Sequence, residues 1–309
     1  MDDAIVAEGL TKKYDNSLAV DGISFKVKNG EICGFIGPNG AGKTTTIKIL
    51  AGLLNPTSGS ASISGFDVVA ERLKAQLSLG YMPEICRFPG YLSAEELLNY
   101  YGRLFGIPGE ERKARIDDLL VLVGLDERRK DRIIKYSKGM VQRLGIAQAL
   151  INNPKVVIMD EPTRGLDPAI IVEFRDIVRA LRKDGVTVLL SSHILSEIQQ
   201  ICTHLMIINK GKLVASGTVN KLANISGSVI DIELKSVSNK VENALANLKF
   251  VKELKREGNF IQIFLNTNKD VRGVISKTVY EKGGIPLSIS TQKPALEEIY
   301  LKLTREVSE

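Results

Sequence analysis

An apolar run, Ile32 to Ile36, feeds without a break into Gly37-Pro38-Asn39-Gly40-Ala41-Gly42-Lys43-Thr44. Thr45 to Leu53 then reads as a helix stopped by Asn55-Pro56-Thr57-Ser58-Gly59. The octet fits G-x-x-x-x-G-K-[ST], and a strand before it and a helix after it are the context in which that spacing wraps phosphate groups. Glycine lets the backbone approach an anion closely, so successive N–H groups and the start of the helix face it, while Lys43 brings a positive charge to the outer phosphates. Thr44 or Thr45 can offer a hydroxyl to a magnesium ion or to phosphate. A glycine-rich turn beside a surface lysine would need neither flanking element. The pattern predicts an α/β fold whose buried strand opens onto the phosphates of a nucleotide.

A second element completes that chemistry. Val156-Val157-Ile158-Met159-Asp160-Glu161 is an apolar strand that delivers two consecutive carboxylates at its end. Paired acids at the edge of a core are costly without a partner. Magnesium is that partner for Asp160, directly or through water, and Glu161 is then placed to polarise the attacking water as general base.

The remaining chain organises around these two strands. Ile23, Phe25 and Val27 alternate toward one face, and Asn29-Gly30 predicts a hairpin that returns through Ile32 to Ile36. From about Glu84 to Leu150 the pattern is helical, with candidates at 95–105, 110–123 and 139–150. Buried strands then alternate with helices: 156–159, 169–183, 186–191, a helix from Ile194, and 205–208. This alternation implies a parallel sheet covered on both faces. From about Ser226 the order becomes strand (229–234), helix (239–248), two strands around Gly258-Asn259, helix (270–282) and strand (285–289). That order is the split βαβ, or ferredoxin-like, arrangement. Leu296, Ile299, Tyr300 and Leu303 fall at helical spacing and predict a final amphipathic helix. Two domains are therefore expected, residues 1–225 with a helical subdomain at about 84–150, and a small accessory domain at 226–309.

Composition narrows the setting. Apolar residues make up 44% of the chain and charged residues 25%, which a globular protein can bury and solvate. Cys33, Cys86 and Cys202 lie far apart without metal-type spacing, so free, buried thiols are expected. No apolar run approaches the roughly 18 residues of a membrane span, and Met1-Asp2-Asp3 lacks the basic start of a signal peptide. The chain is expected to be cytoplasmic. A net charge of +6 is read as scattered Lys and Arg on solvated helices and not as a nucleic-acid surface.

The residues together resemble the ATP-binding-cassette (ABC) family over about residues 4 to 220. Tyr136-Ser137-Lys138-Gly139-Met140, followed by Gln142-Arg143, resembles the family's signature motif. Gly165-Leu166-Asp167 resembles its D-loop, Ser191-Ser192-His193 its switch histidine, and Tyr14 stands where an aromatic ring stacks on adenine. The resemblance implies a P-loop NTPase of the ABC type, with a mixed core sheet, an antiparallel subdomain and a helical insert, followed by the α+β ferredoxin-like domain. It implies ATP and Mg²⁺ as cofactors. The site would comprise Tyr14, Gly37, Pro38, Asn39, Gly40, Ala41, Gly42, Lys43, Thr44 and Thr45, with Thr44, Glu84 and Asp160 toward the metal and Glu161, His193 and Lys43 catalytic. Two such domains would pair head to tail, Ser137 and Gly139 of one capping the γ-phosphate held by the other, with Asp167 organising the contact. His204 has no place in this series and reads as structural.

Departures from the family pattern are local. Tyr81-Met82-Pro83-Glu84 puts a carboxylate where glutamine is usual, so an amide donor is exchanged for charge. Lys138 and Met140 replace glycine and glutamine in the signature and leave Ser137 and Gly139 intact. The resemblance further implies a subunit of a transporter, peripheral on the cytoplasmic face of the membrane and driving a separate permease that docks near Glu84 and the helical insert. Pro-Glu at 83–84, Tyr-Ser-Lys-Gly-Met, and an ending like Leu296-Glu297-Glu298-Ile299-Tyr300 are similar to exporter-type ATPases for drugs, antibiotics, lipids or polysaccharides. An importer ATPase, or a non-transport ATPase acting on ribosomes or nucleic acid, stays open as the alternative.

Overall fold

A computed structural model of the chain describes residues 3–223, 229–267 and 269–292. Its backbone divides into two compact units, residues 1–216 and 217–309. The first opens with strands β1 (Asp3–Tyr14) and β2 (Ser17–Lys28), then β3 (Ile32–Ile36) and helix α1 (Lys43–Leu50). β4 (Ser58–Ile63), β5 (Phe66–Asp67), α2 (Arg72–Leu77) and β6 (Leu79–Met82) follow. Helices α3 (Ala94–Leu104), α4 (Gly109–Leu122) and α5 (Lys138–Leu150) form the helical insert. The chain then alternates through β7 (Val156–Met159), α6 (Pro168–Lys183), β8 (Thr187–Ser192), α7 (Leu195–Gln199), β9 (His204–Asn209) and β10 (Lys212–Thr218).

Two sheets result. β2, β1, β4 and β5 lie in that order, and the pairs β1–β2, β1–β4 and β4–β5 are antiparallel. The second sheet runs β10-β9-β3-β8-β7-β6, and its pairings from β9 through to β6 are parallel. All five residues of β3 and all four of β7 are buried, which fits strands covered on both faces. Ile32, Phe35 and Ile36 are at most 1% exposed, and each such side chain stabilises the fold by about 1.5–3 kcal/mol relative to leaving it in water.

The hairpin expected at Asn29-Gly30 does not form. β2 pairs with β1 in one sheet while β3 pairs with β8 and β9 in the other, so the turn passes the chain between sheets. Gly30 has φ 74, and its N–H donates to the Thr187 hydroxyl at 2.9 Å instead of to a ladder partner. Burial gives the reason: β2 alternates as a half-exposed strand should, whereas β3 is apolar throughout and belongs in the middle of a parallel sheet. The helix expected to Leu53 ends at Leu50, followed by a turn through Gly52 at φ 67.

Capping explains where the insert's helices begin. Ser93 accepts from the Glu96 N–H at 3.2 Å and the Glu96 carboxylate accepts from the Ser93 N–H at 2.8 Å, a reciprocal capping box that starts α3. Ser137 caps α5 in the same sense, its hydroxyl accepting from the Met140 N–H at 3.2 Å.

The second unit contains α8 (Val219–Ala223), β11 (Val229–Leu234), α9 (Asn239–Ala246), β12 (Val251–Glu257), β13 (Phe260–Leu265), α10 (Arg272–Glu281) and β14 (Pro286–Gln292). Its sheet runs β12-β13-β11-β14 with antiparallel pairing throughout, the split βαβ order that the sequence predicts. Ile230, Ile232, Leu245, Ile261, Ile263 and Ile275 form its own core. The amphipathic helix expected around Leu296 to Leu303 lies outside the described residues. Among the described residues no helix is long and apolar enough to cross a membrane. Cys33 and Cys202 are buried and Cys86 is half-buried, all as free thiols. Burial pushes the Cys86 thiol up to about 11.

Candidate functional site

β3 ends at Ile36, and the loop that follows is shaped by the lack of room beside it. A Cβ on Gly37 would sit 2.4 Å from the Ile208 carbonyl oxygen, and one on Gly42 would sit 2.4 Å from that of Ala19. Gly42 also takes φ 106, a backbone conformation that side chains rarely adopt. The Ala41 N–H donates to the Pro38 carbonyl at 3.2 Å, and α1 starts as the Thr46 N–H donates to Gly42 at 2.9 Å. Lys43 folds back into the loop, its ammonium donating to the Gly37 carbonyl at 2.7 Å and the Pro38 carbonyl at 3.3 Å. That side chain is only 6% exposed, so the charge is held by carbonyls and by a carboxylate: Glu161 Oε1 lies 3.2 Å from Nζ.

The acid pair is locked from a neighbouring strand. Ser191, on β8, donates its hydroxyl to Asp160 Oδ1 at 2.6 Å and accepts from the Glu161 N–H at 2.8 Å. Asp160 and Glu161 are both buried. Glu161 has φ 49, in the left-handed region, where a non-glycine residue persists only if its surroundings over-determine it. Its second oxygen, Oε2, meets His193 Nδ1 at 2.7 Å. Glu161 thus bridges a buried ammonium and a half-exposed imidazole. Beside the pair, burial and the Asp160 charge push the Tyr81 hydroxyl up to about 12.

Lys43 and Glu161 border a cleft of about 440 Å³, lined by Ala19, residues 38–45, Glu84, Glu161 and Arg164. Glu84 follows β6 closely, and its carboxylate forms an ion pair with the Arg164 guanidinium. The structure therefore brings the phosphate loop, Glu84, Asp160, Glu161 and His193 together. Asp160 and His193 adjoin Glu161 without lining the cleft, and Tyr14, Ser137 and Gly139 are not in that lining either. Tyr14 is exposed at the end of β1 beneath the Lys12 ammonium, 5.3 Å from the ring centroid, and Ser137 is exposed at the start of α5. His204 pairs with the Ser216 hydroxyl at 3.0 Å, away from this chemistry.

Sequence reasoning left Ser191 and Gln142 as members of motifs without a role of their own and missed Arg164. Ser191 was visible only as part of a Ser-Ser-His string, since its hold on the acids depends on β8 lying beside β7. Arg164 gave no signal at all. Gln142 is buried and donates to the Pro162 carbonyl at 2.9 Å, tying α5 to the segment after the acid pair; a polar residue on a helix with a broad buried face could have flagged it.

Among the described residues no cluster of three or more His, Cys, Asp or Glu could hold a metal by itself. The hydroxyl and carboxylate oxygens in the lining are those of Thr44, Thr45, Glu84 and Glu161, and the Asp160 carboxylate lies next to Glu161 at the end of β7. A sparse, all-oxygen set suits magnesium, which keeps several waters and takes its other ligands from a phosphate chain. The loop suits the phosphates in the same way: the carbonyls that now hold Lys43 are ones it can exchange for anionic oxygens.

Comparison with known proteins agrees with this geometry. A family model described as ABC transporter matches residues 20–164. The linearmycin resistance ATP-binding protein LnrL of Bacillus subtilis (strain 168) is 34% identical over 304 residues, covering 96% of this chain and 97% of that protein. The bacitracin transport ATP-binding protein BcrA of Bacillus licheniformis is 35% identical, covering 98% of each chain. Among solved structures, an ATP binding subunit of an ABC transporter superposes with TM-score 0.66 at 31% identity, over 71% of this chain and 91% of that one. A dimeric post-hydrolysis state of the ATP-binding cassette MJ0796, bound to ADP and Pi, matches with TM-score 0.64 at 25% identity, over 70% of this chain and 98% of that one.

Proposed function

The chain belongs to the ABC transporter family, as an ATP-binding and ATP-hydrolysing subunit, and from that premise we propose that it powers export through a separate membrane permease. The observation that carries the catalytic part is the continuous contact from Lys43 through Glu161 to His193 at the edge of the phosphate cleft. Lys43 exchanges the Gly37 and Pro38 carbonyls, and with them Glu161 Oε1, for phosphate oxygens. That exchange frees Oε1 to accept a proton from water as its oxygen attacks the γ-phosphorus, with ADP as leaving group. His193 keeps the other oxygen in place. Ser191 fixes Asp160 and the Glu161 backbone, so neither acid reorganises during the step.

Thr44, Glu84 and Asp160 would hold Mg²⁺, which when bound neutralises charge on the phosphate oxygens. Tyr14, exposed at the end of β1, is assigned to the adenine face. Ser137 and Gly139 lie outside the cleft of their own chain, and we assign them to the nucleotide held by a second copy, paired head to tail. The exposed Ser137 hydroxyl at a helix start suits an anion. The ATPase domain is assigned to residues 1–225 and an accessory domain to 226–309; the separate core of the second unit supports two domains, although the backbone division at 216/217 puts α8 with the second.

For the permease, support comes from a groove of about 560 Å³ beside β6 and the helical insert, lined mainly by apolar side chains. Leu53, Leu73 and Leu104 there are 59%, 72% and 64% exposed, the kind of contiguous apolar surface that marks an interaction site. An amphipathic cytoplasmic helix of the permease fits such a groove, which would place the chain on the cytoplasmic face of the membrane. Relatives named for linearmycin resistance and for bacitracin transport support export over import.

Glu161→Gln tests the catalytic reading. ATP affinity should be kept while turnover falls about 10²- to 10⁴-fold, the usual worth of a general base. A folded variant that hydrolyses ATP at the normal rate would remove Glu161 from this role.

A further inference from the structure

Glu84 and Arg164 belong to segments remote in sequence, one just after β6 and one three residues past Glu161, yet they meet at the mouth of the phosphate cleft and both line it. A carboxylate there faces two opposite demands. Toward a triphosphate without metal it is a like charge and repels. Toward magnesium it is a ligand. Arg164 answers the first demand by holding the carboxylate in an ion pair. It does so loosely: the side chains are 28% and 55% exposed, and exposed pairs are weak enough for a divalent ion to displace. Its backbone is fixed where it must be for this, because the Arg164 N–H donates to the Glu161 carbonyl at 3.1 Å in the turn that follows the acid pair.

We propose that Arg164 is a positioning residue for Glu84, a counter-ion that competes with magnesium for the Glu84 carboxylate and so sets the gap between metal-free and metal-loaded nucleotide affinity. The proposal rests on the phosphate-site reading above. With the pair intact, Glu84 is turned to the guanidinium and a metal-free nucleotide enters without meeting a free negative charge. Without Arg164, the carboxylate is released toward the phosphates. Metal-free nucleotide is then repelled, and magnesium finds its ligand already free. Because Arg164 works through Glu84, its influence vanishes when residue 84 carries no charge. A guanidinium that touched the phosphates directly would matter equally in the wild type and in the Glu84→Gln variant.

The full-length protein can be titrated with an ATP analogue carrying a fluorophore on the ribose, once in EDTA and once with excess Mg²⁺. Arg164→Ala should bind the metal-free analogue about three- to tenfold more weakly than wild type, by an amount that shrinks as salt is raised, and should gain correspondingly more from magnesium. Arg164→Lys should keep most of the wild-type behaviour. In a Glu84→Gln background, Arg164→Ala should change neither affinity by more than about 1.5-fold, the non-additivity expected of a coupled pair. An equal loss in both backgrounds, or no loss with Glu84 present, overturns the proposal while leaving the phosphate site standing. A wild-type protein that fails to bind the analogue sinks both.

Discussion

Lys43 has three partners, two loop carbonyls and Glu161, and each is one that an anion can replace. The same economy governs Ser191, whose single hydroxyl donates to Asp160 and accepts from the Glu161 N–H. Ser191→Ala would leave a buried carboxylate oxygen and a buried N–H without partners, at about 1–3 kcal/mol for each group. The expected outcome is a fall of at least several degrees in the melting temperature of the ATPase unit, together with reduced turnover; an unchanged melting temperature would show that the acids are held by other means. At this scale the sequence was most informative where chemistry is local. The phosphate loop and the acid pair are contiguous strings whose spacing carries their meaning. Arg164 and Ser191 act across strands, so their roles depend on which segments the sheet brings side by side.

Among elements, β3 shows how far local signals reach. Asn29-Gly30 is a turn as expected, but the partner strand is decided by burial on both faces of Ile32 to Ile36, not by proximity in sequence. β6, only four residues long, left no periodic signal, yet it is the strand that delivers Glu84 to the cleft. Helix α5 was legible from its apolar pattern, and its cap explains the start: Ser137 satisfies the Met140 N–H. Ser137→Ala should therefore cost stability modestly, about 1 kcal/mol. If the same hydroxyl also caps the phosphate of a second copy, turnover well below the melting temperature should fall by tenfold or more, and Ser137→Thr should restore both. A turnover loss no larger than the stability loss explains would confine Ser137 to its cap.

For the whole molecule, the two units differ in what they can be asked to do. The second has its own sheet and its own core. The first lines its cleft with the phosphate loop, Glu84 and Glu161, with His193 held on Glu161, whereas Ser137 and Gly139 lie outside that lining. Such a division makes sense if the cleft is half of a site and the other half comes from a second chain. The family resemblance already implied that Ser137 and Gly139 serve the other copy's nucleotide; the fold adds that Ser137 is exposed at the start of α5 and that neither residue lines its own chain's cleft. The most direct measurement is the solution mass of Glu161→Gln by light scattering, with and without ATP. The mass should double when ATP is added and return to that of a single chain when the nucleotide is removed. A single-chain mass at saturating ATP, with the nucleotide demonstrably bound, would contradict the head-to-tail dimer and leave the chain a self-contained ATPase.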